Sequence, residues 1–203
     1  MKGIIFSEPM FNSVINGIKT QTRMILKSQP TGVVNSWDLT PLSIHPEYDN
    51  LLGSFYYRSD DGFEYIHPRY KVGEKVYLKE PYFIDDNRVI YRFDNYKDDH
   101  LICKWENNMP EKYARYWIEI EAVRCERLQD ISEEDFLKEG IVRLGSEHYY
   151  NGFQSGDLDK NDNYFPYSSP QISYAAFIDK INGKGTWESN PFVWVNSFKL
   201  INN

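Results

Sequence analysis

Strand patterns and helix patterns follow one another irregularly along this chain, and that order constrains the fold most strongly. The clearest strand spans residues 116–124, where Ile118, Ile120 and Ala122 alternate with polar or bulkier side chains. The same alternation predicts strands over residues 75–82, 88–93, 100–105 and 192–200. Because helices do not separate these strands in a regular β-α-β order, the pattern predicts an α+β fold. We expect a small twisted β-barrel with helices flanking it.

Three short helices are marked by their ends. Each begins at a residue that favours a helix start and ends at a glycine: Ser7 to Gly17, Ser132 to Gly140, and Pro170 to Gly183.

No linker or repeat separates independent cores, so residues 1–203 are predicted to form one domain. Residues 28–70 are predicted to be an irregular insertion with at most a short hairpin around Asp60-Asp61-Gly62. Residues 144–170 form a second insertion, and a structureless loop of that length is either mobile or functional.

Composition excludes several classes of protein. The chain is 41% hydrophobic and 26% charged, so it is not a disordered protein. It contains no apolar run long enough for a membrane span, and two cysteines cannot make a disulfide framework. We therefore expect a cytoplasmic protein with no membrane partner. The net charge of −7 disfavours non-specific binding of duplex DNA, which depends on neutralising phosphates.

Motifs for cofactors and metals are missing from the sequence. There is no glycine-rich phosphate loop, no nucleophile elbow and no zinc-protease motif. The four histidines are scattered, and none has a second ligand at metal spacing. The sequence thus predicts neither a cofactor nor a metal site.

The segment after the first helix is chemically unusual, because two cations and two hydroxyls stand close together: Lys19, Thr20, Thr22 and Arg23. One interpretation is that the cations only complement the dipole at the end of the helix. The other is a pocket for an anion or a carbonyl group, with threonine as a donor or nucleophile. In an extended strand Lys19 and Thr22 point to opposite faces, so they can share a pocket only if the backbone turns between them.

Two carboxylates stand where a charge is unfavourable. Glu139 lies in the last turn of the second helix, where the dipole penalises an acid unless a cation such as Lys19 is near. It is either a solvated glutamate or a general acid or base. Glu80 shares the apolar face of its strand, so it is either paired inside the protein or, beside Pro81, turned to water.

Four segments in this order resemble the ASCH domain, a branch of the PUA-like superfamily, including bacterial and prophage-encoded members. They are Gly17-x-Lys19-Thr20-x-Thr22-Arg23, residues 71–80, residues 124–140 and residues 190–195. The resemblance implies a β-barrel with a cleft for RNA or a modified nucleoside. Amidohydrolases of that family remove the acetyl group of acetylcytidine with a lysine, a threonine and a glutamate. Their positions fall on Lys19, Thr22 and Glu139, which implies Thr22 as nucleophile, Lys19 as its activator and Glu139 as proton carrier.

The sequence is compatible with three functions. The first is a module that binds RNA or a modified nucleoside, for which the expected ligand contacts are Thr20, Arg23, Tyr77, Lys79, Glu80 and Trp194. The second is a hydrolase of acylated cytidine, or a ribonuclease, because another relative of the family has that activity. The third is a phage-associated interaction protein.

Overall fold

A computed structural model describes residues 1–27, 29, 55–59, 62–94, 104–144, 148–151 and 167–201. The helices are α1 (Glu8–Ile15), α2 (Glu133–Lys138), α3 (Pro170–Asn182) and α4 (Thr186–Ser189). The strands are β1 (Lys2–Ile5), β2 (Gln21–Ile25), β3 (Phe55–Ser59), β4 (Gly62–Ile66), β5 (Lys75–Lys79), β6 (Tyr82–Asp85), β7 (Arg88–Tyr91), β8 (Trp117–Arg127), β9 (Ile141–Leu144), β10 (His148–Asn151) and β11 (Phe192–Ile201).

A five-stranded sheet organises the fold, in the order β1-β5-β8-β11-β2. Only β1 and β5 are parallel, and the other three pairs are antiparallel. With helices packed against this sheet, the prediction of a mixed α+β fold is confirmed.

The prediction of a closed barrel is wrong for this sheet, because its two edge strands, β1 and β2, are not hydrogen-bonded to each other. The carbonyl oxygen of Gly3 on β1 instead accepts hydrogen bonds from the side chains of Arg69 and Tyr70. Gly3 of β1 and Met24 of β2 nevertheless line the same cavity.

Three hairpins accompany the main sheet. The expected hairpin near residues 60–62 is present as β3 and β4, although Asp60 and Asp61 lie outside the described residues. The strand expected over 75–82 is divided into two, because β5 ends before Pro81 and the next strand, β6, pairs with β7. Most of the strand expected over 100–105 also lies outside the described residues. The described part of the 144–170 insertion begins with the β9–β10 hairpin, which was not predicted from the sequence.

The main core lies between the sheet and the helices α1, α2 and α3. Its buried residues include Phe11, Val76, Ile118, Phe136 and Tyr174. At the start of α2, the Ser132 side chain accepts a hydrogen bond from the backbone N–H of Asp135, as its position as N-cap predicts.

Strand β11 does not keep one apolar face along its length. Phe192 and Trp194 pack with Leu26 in a second cluster, whereas Phe198 packs in the main core. The register with β8 shifts between Ser197 and Phe198, and this irregularity separates the two groups.

Candidate functional site

A buried glutamate joins the end of α2 to the beginning of β2. Glu139 is 2% exposed, and its carboxylate accepts hydrogen bonds from Lys19 Nζ at 2.7 Å and from Arg23 Nη1 at 2.9 Å. Lys19 Nζ also donates to the backbone carbonyl of Glu139 at 3.0 Å, which gives one unpaired carbonyl at the C-terminus of the helix a hydrogen-bond partner. The alternative of a solvated glutamate is therefore wrong, and the cations bind this acid rather than only complementing the dipole of α1.

This contact belongs to a larger network in which three cations meet three carboxylates. Its members are Lys19, Arg23, Arg124, Glu126, Asp135 and Glu139. Gln21 completes it by accepting from Arg23 Nη1 at 2.7 Å and donating to Ser197 Oγ at 3.1 Å. The formal charges of these six groups cancel, which favours burial of the inner ones, Lys19, Arg23 and Glu139.

The pKa values in the network follow from burial and from the neighbouring charges. Burial, together with the nearby charge of Arg23, lowers the pKa of Lys19 in spite of the adjacent Glu139 carboxylate. Burial alone raises the pKa of Asp135, but the hydrogen bond from Arg23 and the charge of Arg124 outweigh it and lower that pKa. The cluster thus contains a lysine that gives up its proton more readily than a surface lysine does.

Thr22 lies on the other face of β2. Arg23 is paired with Val195 of β11, whose side chain is in the main core, while Thr22 is paired with Asn196. Among the contacts of the described residues, the Thr22 hydroxyl has no hydrogen bond to Lys19 or Glu139. The structure therefore brings together two members of the expected triad and leaves the third facing away.

A cavity of about 630 Å³ opens on the face of the sheet to which Thr22 belongs. Its lining residues are Met24, Ile25, Leu26, Lys27, Ile66, His67, Arg69, Trp194 and Asn196. The volume is within the range of small-molecule sites, and the wall combines an aromatic ring and aliphatic side chains with a few polar groups, as such sites do.

Asn196 is the most unusual residue of this wall. It is 1% exposed, and its Oδ1 has no hydrogen-bond partner in the part of the chain that the structure describes. Its Nδ2 lies 3.5 Å from the carbonyl oxygen of Trp194. A buried acceptor without a partner is unfavourable, so this position favours a ligand that donates a hydrogen bond to it.

The cavity carries positive charge on an acidic protein. Lys27 and Arg69 line it together with His67, and none of its described lining residues is an acid, although the chain has 30 acids against 23 Lys and Arg. A site with this lining favours a ligand that carries negative charge.

A second cavity, of about 300 Å³, adjoins the first. It is lined by Gly3, Ile4, Ile5, Met24, Arg69, Tyr70, Lys79, Asn107 and Asn108, again with no acid among its described lining residues. Met24 and Arg69 line both cavities, so the two spaces share a wall.

The other residues expected to contact a ligand divide between the cavities and the interior. Trp194 lines the first cavity and Lys79 the second. Tyr77 is buried, and its hydroxyl donates to the Met109 carbonyl at 3.2 Å. Thr20 uses its backbone N–H to bind the Lys138 carbonyl beside the network.

Glu80 is completely buried, and both of its oxygens accept hydrogen bonds from the guanidinium of Arg115, at 2.9 and 2.6 Å. Of the two alternatives for this residue, the structure shows the paired one. Burial raises the pKa of Glu80 in spite of this partner.

Four cavity residues were not predicted from the sequence, Met24, Lys27, Arg69 and Asn196, and His67 entered the prediction only as one of four scattered histidines. A signal existed for Asn196, because it lies two residues from Trp194 and so interrupts the apolar face of its strand. Arg69 had no such signal, since it lies outside the strands and reaches the site through the fold.

Comparison with protein-family models, with curated proteins and with solved structures found no match to this chain. None of the described helices is long and apolar enough to cross a membrane. The described residues also contain no group of three or more histidine, cysteine, aspartate or glutamate side chains placed to hold a metal ion.

Proposed function

We propose that this protein binds RNA or a modified nucleoside, with a base held in the larger cavity. The observation that carries the proposal is the unsatisfied Oδ1 of Asn196 at a cavity wall that also contains Trp194 and three basic side chains. It agrees with the resemblance to the ASCH domain and extends it, because Asn196 and the basic residues are not part of the resembling motif at residues 17–23.

The chemistry of a nucleobase fits the residues of this wall. Proteins recognise unpaired bases by stacking them on aromatic rings and by hydrogen bonds to their polar edges. Trp194 supplies the aromatic group, and Asn196 Oδ1 accepts from an amino or imino group of the base. The basic side chains then lie near the sugar and phosphate.

The test is calorimetric titration with the four ribonucleosides and with N4-acetylcytidine. We expect at least one to bind, and Asn196→Leu to weaken that binding about tenfold because the acceptor is lost. Asn182→Leu is the matched control, since Asn182 is an exposed asparagine on α3 that lines neither cavity. Equal binding by wild type and Asn196→Leu contradicts the proposal, and so does failure to bind both the five compounds and short single-stranded RNA.

A second candidate, hydrolysis of acylated cytidine, is favoured by one observation. The pKa of buried Lys19 is lowered beside Glu139, which is the property of a lysine that accepts a proton. Thr22 would attack the acyl carbon to form an ester, the amine would leave with a proton, and water would then release the acid. Against this stands the orientation of Thr22, which faces away from Lys19.

Product detection in the same mixtures separates the two functions. A hydrolase releases acetate from N4-acetylcytidine, and it loses at least about 100-fold in rate in Thr22→Ala and in Lys19→Ala. A binding module retains the acetylated compound unchanged. Absence of acetate release in wild type that binds N4-acetylcytidine rejects the hydrolase.

A further inference from the structure

Two adjoining cavities share Met24 and Arg69 as lining residues. They measure about 630 and 300 Å³, so the second is at the lower end of the size of small-molecule sites. One free nucleoside in the larger cavity would leave the smaller one unused.

Arg69 stands where the two cavities meet and is the residue best placed to bind a phosphate there. One of its nitrogens donates to the Gly3 carbonyl at 3.2 Å, and its guanidinium lies 5.4 Å from the centre of the Tyr70 ring. These contacts orient a side chain that is otherwise exposed. A guanidinium has five N–H donors, so donors remain for the two oxygens of a phosphodiester.

The second cavity has its own cation and its own amides. Lys79 Nζ lies 2.8 Å from Oδ1 of Asn108, and Asn107 lines the same wall. Because the described walls of both cavities lack a carboxylate, a phosphate at their junction meets only attractive charges.

We propose that the two cavities form one site for a single-stranded ligand of at least two nucleotides, with the linking phosphate at Arg69. This inference rests on the proposed function and specifies its ligand as a phosphodiester-linked strand rather than a free nucleoside. The strand must be unpaired, since each base has to leave a stack to enter its cavity.

The experiment compares each ribonucleoside with its dinucleoside monophosphate: ApA, CpC, GpG or UpU. We expect at least one dinucleoside monophosphate to bind about tenfold more tightly than its nucleoside, because a charged hydrogen bond is added. When the logarithm of the affinity of this dinucleoside monophosphate is plotted against the logarithm of the salt concentration, the slope should be about −0.7, the value for one neutralised phosphate on a single strand.

In Arg69→Gln the ratio of dinucleoside-monophosphate affinity to nucleoside affinity, both measured on that variant, should fall to about one. Arg69→Lys should keep most of the ratio seen in wild type. Lys79→Gln should reduce it as well, with Lys75→Gln on the same strand as the control, because Lys75 lines neither cavity. If Arg69→Gln does not fold, the inference is tested by whether Lys79→Gln lowers the affinity for the dinucleoside monophosphate more than Lys75→Gln does.

Two negative results have different meanings. Equal affinity for nucleosides and dinucleoside monophosphates, or an advantage that survives both Arg69→Gln and Lys79→Gln, overturns this inference and leaves the proposed function standing. Failure of every nucleoside and dinucleoside monophosphate to bind overturns both.

Discussion

At the scale of single residues, Glu139 holds two buried cations, Lys19 and Arg23. In Glu139→Gln both cations lose their shared counter-charge while staying buried. We predict a loss of about 3–5 kcal/mol in the free energy of unfolding, the usual effect of removing one partner of a buried ion pair. Urea unfolding followed by circular dichroism measures it.

Glu134→Gln is the matched control for that substitution. Glu134 lies on the same helix, but its side chain is 76% exposed and pairs with Lys138 at the surface. We expect a change of less than about 0.5 kcal/mol. Similar stability losses in the two variants would show that Glu139 is not part of a buried network.

Asp135 gives the network a dependence on pH. Its pKa is lowered in the folded protein, so the unfolded chain takes up a proton first as the pH falls. The stabilisation is present above the unfolded pKa of about 3.9 and is lost as the pH falls through the lower folded value. Unfolding free energies measured from pH 6 to pH 2 should therefore fall less steeply for Asp135→Asn than for wild type. An unchanged slope contradicts this account.

Among the strands of the main sheet, β1 packs closely against β5 at Gly3. A Cβ added at this position would lie 2.6 Å from Lys79 Cε and 2.6 Å from Tyr77 Cζ. The Lys79 side chain can move, but the Tyr77 ring is buried and its hydroxyl is hydrogen-bonded to the Met109 carbonyl. Gly3→Ala should therefore destabilise the protein by about 1–3 kcal/mol. Ile5→Ala, at an exposed position of the same strand, is the control. Equal midpoints for Gly3→Ala and wild type in urea would show that the contact is not tight.

The elements also show which features the sequence could predict. Capped helices and alternating strands were predictable because their signals are local: Ser132 at the start of α2 and the alternation through Ile118 are examples. The pairing of Lys19 with Glu139 was foreseen only as a possibility, since it joins residues that are 120 positions apart. The position of Arg69 at the site and the open edge between β1 and β2 depend on how the whole chain packs, which no local pattern encodes.

At the scale of the whole molecule, charge is unevenly placed. The net charge is −7, yet the described walls of the two cavities carry cations and no acids. A duplex would bring many phosphates against the acidic surface, so we predict weak binding of duplex DNA and a shallow salt dependence for single-stranded ligands. Fluorescence anisotropy with a duplex and with a single strand of the same sequence tests this. Tighter binding of the duplex, with a steep salt dependence, would contradict it.

The position of a bound ligand can be observed directly by nuclear magnetic resonance. The protein has five tryptophans, so its indole N–H groups give a small set of resonances in a ¹H–¹⁵N spectrum, assignable by substitution. On titration with the tightest-binding nucleoside, we predict a large shift of the Trp194 resonance and a small one for Trp187, which lies outside both cavities. A ligand that leaves Trp194 unchanged would contradict the placement of the site on this face.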